Sequence, residues 1–291
     1  MIRKHLKAAV LLAMLFTFVF LFPMENAHPA ETAMDSATQK SVKLPIIMYH
    51  SILNDPKKRD IYVATADSLK SDLKYLKDRG FETVVVQDLI DYVSGVGTLP
   101  QKPVMITFDD GHYNNLYYAL PILQELDMKA VISIVGRYAE DYTQNPDPNP
   151  NYAYLSWEEV KLLQDSGRFE VQNHSYALHS IGERMGSRRK SGEPVASYCV
   201  MFNEDAMRQQ ALLQEHCGIT PTAFVYPFGL VCPEAQDCLR QLQFSASLTC
   251  SERINYIQAG NPECLFNLGR FNRSGKVTTA TFMKKLLKQL Q

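Results

Sequence analysis

Short runs of β-branched and apolar residues, each separated from the next by an amphipathic stretch, recur from Leu44 onward and constrain the architecture more than any other feature. LPIIMYHSI, beginning at Leu44, leads to a helical pattern through Leu69, Leu73 and Leu76 that Gly80 can end, and then to TVVV at 83–86. A helix over 89–93, the strand PVMITF, a helix over 114–126 and the strand AVISIV continue the rhythm. After a loop rich in Asn and Pro at 144–151 come a helix at 157–164, a strand at 169–172, a helix at 204–216 and the strand TAFVY. A helix at 234–242, the strand FSASLT, an apolar segment at 265–268 and a terminal helix over 282–290 complete the chain. Strands joined through helices run parallel, because each crossover returns the chain to the same edge. The pattern predicts an α/β fold, an irregular (β/α) barrel of seven or eight parallel strands without internal sequence repeat.

The start of the chain has a different character. Arg3, Lys4 and Lys7 precede an uncharged apolar run over 8–22, followed by Pro23 and small residues. That layout reads as an export signal over 1–30, ending at Ala27 or Ala30. The run is shorter than the roughly 20 residues that span a bilayer, and an uncleaved N-terminal anchor is the alternative. Residues 31–43 are polar and aperiodic, a flexible stalk, and 44–291 are expected to form one domain. The expected location is extracytoplasmic, secreted or at the cell surface. The first 30 residues hold three of the 30 basic and one of the 31 acidic side chains, so the remainder carries 27 against 30. A charge so close to balance excludes nucleic acid as the main partner. Six cysteines, Cys199, Cys217, Cys232, Cys238, Cys250 and Cys264, lie in the C-terminal half without a C-x-x-C pair. In an exported chain they are expected to form structural disulfides, with the pairing open.

Parallel barrels carry chemistry at the C-terminal ends of their strands, so the polar residues that follow strands are the ones to inspect. These are His50, Asp109 with Asp110, His174 with His179, and the YPFG turn at 226–229. Adjacent carboxylates on a strand point to opposite sides. One can hold a metal while the other addresses a water beside it, a division that metal-assisted hydrolysis requires. By themselves the two acids also suit an Asp-Gly turn and a helix cap. His174 and His179 supply nitrogen donors that suit zinc beside a carboxylate. Five helical steps rotate about 140°, so both rings face one metal only if the segment is an irregular loop. The basic run RMGSRRKSGE at 184–193 reads as a mobile, solvated loop.

These motifs resemble those of the polysaccharide deacetylase family, the NodB-like carbohydrate esterases, over nearly all of 44–291. TFDDG is similar to the family's first motif, which implies Asp109 as base and Asp110 as metal ligand. HSYALH resembles the second, H-[ST]-x-x-H, with one residue more. That longer form, and the opening P-x-x-M-Y-H, are similar to the poly-N-acetylglucosamine deacetylase branch. AFVYPFG resembles the third motif, with Tyr226-Pro227 where relatives often have Arg-Pro. The resemblance implies that Tyr226, Pro227, Phe228 and Gly229 bind substrate, with the Tyr226 N–H donating to the oxyanion; burial of the Tyr226 side chain is its other reading. It implies that His50 replaces the family's C-terminal histidine as acid, since no histidine follows His216. Arg270 stands where relatives have an arginine that orients the base; an ordinary surface charge is its other reading. The implied cofactor is a divalent metal, zinc first, with cobalt or nickel as alternatives. The implied partner is an N-acetylated polysaccharide or cell-wall glycan, and the implied reaction is removal of its N-acetyl groups. A non-catalytic carbohydrate-binding protein of the same ancestry and an acetyl-xylan-type O-deacetylase are the alternatives. A glycoside hydrolase fits poorly, because it needs two carboxyl groups about 5–9.5 Å apart across the scissile bond.

Overall fold

A computed structural model describes residues 41–291. The expected export signal and all but the last three residues of the expected stalk lie outside them. No described helix is long and apolar enough to cross a membrane. The fold begins with β1 (Val42–Leu44), which enters an antiparallel pair with a late strand, so Val42 and Lys43 belong to the folded unit rather than to a stalk. β2 (Ile46–Tyr49), β3 (Ser51–Leu53) and β4 (Val63–Thr65) follow, then α1 (Ala66–Lys77), capped by Thr65 Oγ1 accepting from Ser68 N at 3.1 Å. β5 (Glu82–Thr83) and α2 (Val86–Val93) precede β6 (Pro103–Phe108). A π-helical turn at Asn115–Ala119 runs into α3 (Leu120–Leu126), followed by β7 (Ala130–Ile134), α4 (Gly136–Gln144), α5 (Trp157–Asp165) and β8 (Phe169–Asn173). The remaining elements are α6 (Val195–Cys217), β9 (Ala223–Val225), α7 (Pro233–Gln241), β10 (Ala246–Leu248), β11 (Asn255–Ile257), β12 (Phe271–Asn272) and α8 (Thr279–Leu290).

Eight strands form one all-parallel sheet in the order β10-β9-β8-β7-β6-β2-β12, with β5 beside β6. The sheet curls because segment 268–272 touches both of its ends. Leu268 makes a parallel bridge to Leu248 of β10, and Phe271 and Asn272 pair with Ile47 and Met48 of β2. This is the predicted irregular (β/α) barrel, and Arg270 sits on its closure.

Period-two alternation sorts the strands into two layers. Val104, Ile106 and Phe108 of β6 pack with Leu69, Leu73 and Leu123 of the surrounding helices. Met105 packs instead with Ile46, Val131, Val225 and Leu248 on the inner face. Full burial of each such side chain contributes roughly 1.5–3 kcal/mol, so the pattern as a whole fixes which way each strand faces. Thr107 and Asp109 therefore continue the inner face of Met105 into the upper end of the barrel.

Two helices differ from expectation. α4 lacks an apolar run of its own and buries only Gly136 and Ala139, which hid it in the sequence. α6 extends back to Val195, well before 204, because Tyr198 and Phe202 are buried in an apolar cluster with Phe224 and Tyr226. The expected disulfides are absent: all six cysteines are free thiols. Cys199, Cys232 and Cys238 instead pack in the cluster around Tyr198, where a thiol behaves as a small hydrophobe.

Candidate active site

Asp109 is 2% exposed and held on both oxygens. Arg270 Nη1 donates to Oδ1 at 2.7 Å and Nη2 to Oδ2 at 2.8 Å, a bidentate clamp. Ser133 Oγ adds a bond to Oδ1 at 2.9 Å. Arg270, itself fully buried, is fixed by Nε donating to the Thr249 carbonyl at 3.0 Å and Nη1 to Thr107 Oγ1 at 3.2 Å. Burial alone would raise the Asp109 pKa. Arg270, with His174 and His50 nearby, outweighs burial and brings it down to about 2. Asp109 is thus ionised and rigid, as a base must be before it receives a proton.

Asp110 turns the other way because it lies in the left-handed turn that follows β6. Its φ of 74° is left-handed, and Gly111 follows at 76°. A non-glycine residue there carries a strain of about 1–3 kcal/mol, which the surrounding contacts must hold. Asp110 Oδ1 lies 3.3 Å from His174 Nε2 and 3.1 Å from His179 Nε2. Burial would raise its pKa, but the imidazoles of His112, His174 and His179 hold it well below the usual carboxylate range. Burial would lower the His179 pKa, yet the Asp110 carboxylate raises it overall.

The loop carrying both histidines is shaped by its neighbours. Asn173 Oδ1 accepts from Ser175 N, and the Asp205 carboxylate of α6 accepts from Tyr176 N and Ala177 N, each at 2.8 Å. Ser175 adopts φ 70°, and Gly136 and Arg137 donate to the carbonyls of Ser175 and Tyr176 at 3.1 and 2.8 Å. These bonds accommodate the additional residue of HSYALH, and the loop is irregular as the five-residue spacing requires.

A divalent cation fits this donor set. Asp110 Oδ1, His174 Nε2 and His179 Nε2 offer three ligand atoms within 4.8 Å of one another. The buried Oδ1 has no hydrogen-bond partner of its own. His174 Nδ1 lies 2.7 Å from the Val225 carbonyl, which selects the tautomer with its proton on Nδ1 and leaves the Nε2 lone pair for a metal. Tyr138 Oη donates to the His179 carbonyl at 3.1 Å and restrains the second imidazole's backbone.

The site opens into a cleft of about 840 Å³ lined by His50, Asp109, Asp110, His174, His179 and Phe228, among others. His50 packs edge-on to Tyr62, ring centroids 4.8 Å apart, and its Nδ1 is buried without a partner. Burial lowers its pKa, opposed by Asp109 and Asp110. The YPFG turn is only partly as expected. Among its four residues, Phe228 alone lines the cleft. The Tyr226 N–H is committed to the Leu248 carbonyl at 3.0 Å as part of the sheet, and its ring is fully buried, so it is not an oxyanion donor. Pro227 has no N–H, and Gly229 N donates to the Tyr226 carbonyl at 2.8 Å. Phe228 adopts φ 57°, and its N–H has no acceptor among the described residues.

The basic run at 184–193 is packed rather than free. Ser187 is buried and its carbonyl accepts from Tyr198 Oη at 2.7 Å, while Arg189 Nε pairs with Glu234 at 2.8 Å. Arg184 is paired with Glu193. Local composition suggests mobility, but an ion pair within the loop, another to α7 and the buried Tyr198 of the helix that follows outweigh it. The loop places Met185 in the cleft. Two further contributors escaped the sequence. Ser133 had a signal, the lone polar residue of AVISIV; Asp205 had none, because it sits mid-helix about 30 residues from the loop it braces.

The profile of the polysaccharide deacetylase family matches residues 96–247, a segment that includes the Asp-His-His group but neither His50 nor Arg270. The chain is 22% identical over 222 residues to the poly-beta-1,6-N-acetyl-D-glucosamine N-deacetylase of Escherichia coli K12, covering 70% of this chain and 33% of that protein. It therefore spans about a third of that relative's length. A Staphylococcus epidermidis protein of the same description is 22% identical over 222 residues, covering 75% of this chain and 72% of its own. Among solved structures, IcaB from Ammonifex degensii aligns with a TM-score of 0.66 at 26% identity, over 87% of this chain and 99% of that one. A de-N-acetylase from Aggregatibacter actinomycetemcomitans aligns with a TM-score of 0.70 at 23% identity, over 84% and 100% of the two chains, and so shares the fold.

Proposed function

We propose that this chain, which belongs to the polysaccharide deacetylase family, is a metal-dependent hydrolase that removes N-acetyl groups from a polysaccharide containing N-acetylglucosamine and releases acetate. The observation that carries this reading is one cleft in which an arginine-clamped carboxylate, Asp109, adjoins the Asp110, His174 and His179 donor group. Poly-β-1,6-N-acetylglucosamine is the substrate favoured, since the E. coli and S. epidermidis relatives carry its name. Such a polymer lies outside the cytoplasm, in keeping with the export signal read at 1–30.

Asp110, His174 and His179 would hold a divalent metal, zinc suiting the donors best, which would supply Lewis-acid polarisation of the acetamide carbonyl and lower the pKa of a water. Asp109 takes the water's proton as the oxygen attacks the carbonyl carbon. Arg270 and Ser133 hold the carboxylate so that no reorientation precedes the transfer. The Phe228 N–H donates to the carbonyl oxygen as negative charge accumulates on it. His50 delivers a proton to the departing amine; burial lowers its pKa, which eases that release, while Asp109 and Asp110 oppose the shift.

The test is acetate release by the purified chain from N-acetylglucosamine oligomers, with and without added Zn²⁺. Asp110→Ala and His174→Ala are expected to lose both bound metal and acetate release. Wild-type turnover in either variant, or release from O-acetylated xylan but not from the N-acetylated oligomers, would overturn the proposal. His50→Ala should keep metal and lose turnover; full activity would reject His50 as the acid.

A further inference from the structure

A third imidazole faces Asp110. His112 Nε2 lies 3.6 Å from Asp110 Oδ2, whereas His174 and His179 approach Oδ1. The group formed by Asp110, His174 and His179 closes within 4.8 Å without His112, so this ring stands outside the ligand set. It nevertheless lines the cleft.

Its position is built. Asp110 and Gly111, both left-handed, reverse the chain so that a residue two places on flanks the same carboxylate. A Cβ at Gly111 would meet Ile134 Cδ1 at 3.1 Å, so glycine suits this reversal on both conformational and steric grounds. The His112 ring stacks on Tyr154, centroids 4.8 Å apart and planes 21° from parallel, and the two backbones form an antiparallel bridge. Tyr154 packs on Tyr138 at 4.3 Å, the residue whose hydroxyl holds the His179 carbonyl. One aromatic stack thus fixes His112 on the same frame as a member of the donor group.

We propose that His112 is a positioning residue for the metal site: its Nε2 edge, facing Oδ2 of Asp110, restrains that oxygen electrostatically, so that this carboxylate presents Oδ1 to the ion. The inference rests on the reading of Asp110 as a metal ligand. A separation of 3.6 Å exceeds a direct N–H···O bond of about 2.7–3.2 Å, so the ring acts electrostatically at this distance. Groups that restrain a metal's ligands from outside typically change affinity about 10–100-fold when removed.

The experiment titrates Co²⁺ into the metal-stripped full chain and follows its visible absorption. His112→Phe keeps a ring for Tyr154 but has no donor; it is expected to weaken Co²⁺ binding about 10–100-fold and to alter the absorption bands. His112→Gln retains an N–H donor and is expected to recover most of the affinity, which a purely structural role for the stacked ring does not predict. Asp110→Ala is the control. If His112→Phe binds Co²⁺ within about twofold of wild type while Asp110→Ala does not bind, the proposal for His112 fails and the ligand assignment stands. If Asp110→Ala binds as wild type, the ligand assignment itself fails. Should His112→Phe not fold, His112→Leu, judged by the same titration beside His112→Gln, decides the matter.

Discussion

Among the described residues, two aspartate–arginine pairs are buried, their arginines three residues apart, and only one of them faces the cleft. Asp109 and Arg270 meet in a bidentate pair with the carboxylate on the cleft wall. Asp72 of α1 receives Arg273 Nε at 2.5 Å and Nη2 at 3.3 Å, and its remaining capacity is closed by Tyr49 Oη at 2.8 Å. Both carboxylates and both guanidiniums are essentially without solvent exposure. The pairs use the same chemistry. What separates them is the rest of the surroundings: a serine hydroxyl and open cleft space beside Asp109, a phenol against Asp72. The Asp72 pair joins α1 to the segment after β12 and, through Tyr49, to the strand that His50 follows, so it holds the frame. Asp109 can exchange a proton with something that enters.

Substitutions can break or sharpen that contrast. The largest effect is expected from Asp109→Asn, which should lower acetate release per folded molecule about 10²–10⁴-fold while metal stays bound. Loss of the metal by this variant, measured by elemental analysis, would merge the roles of Asp109 and Asp110. Asp72→Asn leaves Arg273 buried without its counter-charge and should cost about 3–5 kcal/mol in urea unfolding. Its turnover per folded molecule should stay within about twofold of wild type. A tenfold fall in turnover at a temperature where the variant is fully folded would mean that Asp72 also reaches the chemistry. Replacing Asp72, Arg273 and Tyr49 together by Leu, Met and Phe removes all three side chains at once, leaving only the backbone carbonyls of Ser274 and Val277 without their Arg273 donor, and should recover much of the stability lost by Asp72→Asn. No apolar replacement of Asp109 and Arg270 should retain turnover.

A smaller effect concerns pH. The Asp109 pKa is depressed in the folded protein, so its contribution to stability is present above the ordinary carboxylate range and is lost as pH falls toward about 2. An Asp109 carboxyl carbon that titrates near 4 in the NMR spectrum would show that the clamp is weaker than its geometry. Smallest of all should be Tyr226→Phe, which leaves the N–H in the sheet and the ring buried; acetate release is expected to stay within about twofold. A large loss would return Tyr226 to the site.

Legibility followed the range over which each signal acts. Asp109, Asp110, His174 and His179 stand at strand ends that period-two and helical patterns mark directly, and all four reach one cleft. The irregular histidine loop was readable from spacing alone, because rotation per residue is a local quantity. Tyr226 misled because its N–H is satisfied by Leu248, a partner 22 positions away that only the sheet register reveals. The loop at 184–193 misled for a similar reason: its charges look solvated in isolation and are paired in the fold with Glu193 and Glu234.

The amino-acid sequence by itself determined the α/β alternation, the parallel barrel and the strand ends where acids and histidines accumulate, since these depend on periodicity and neighbouring residues. Tertiary structure alone decided which arginine clamps which aspartate, which N–H of the YPFG turn is free, and that His112 stands beside Asp110. Those outcomes depend on barrel closure through 268–272 and on contacts between residues up to 201 positions apart, as between Asp72 and Arg273. Local propensity carries no record of such contacts, because their geometry exists only once the strands have taken their register.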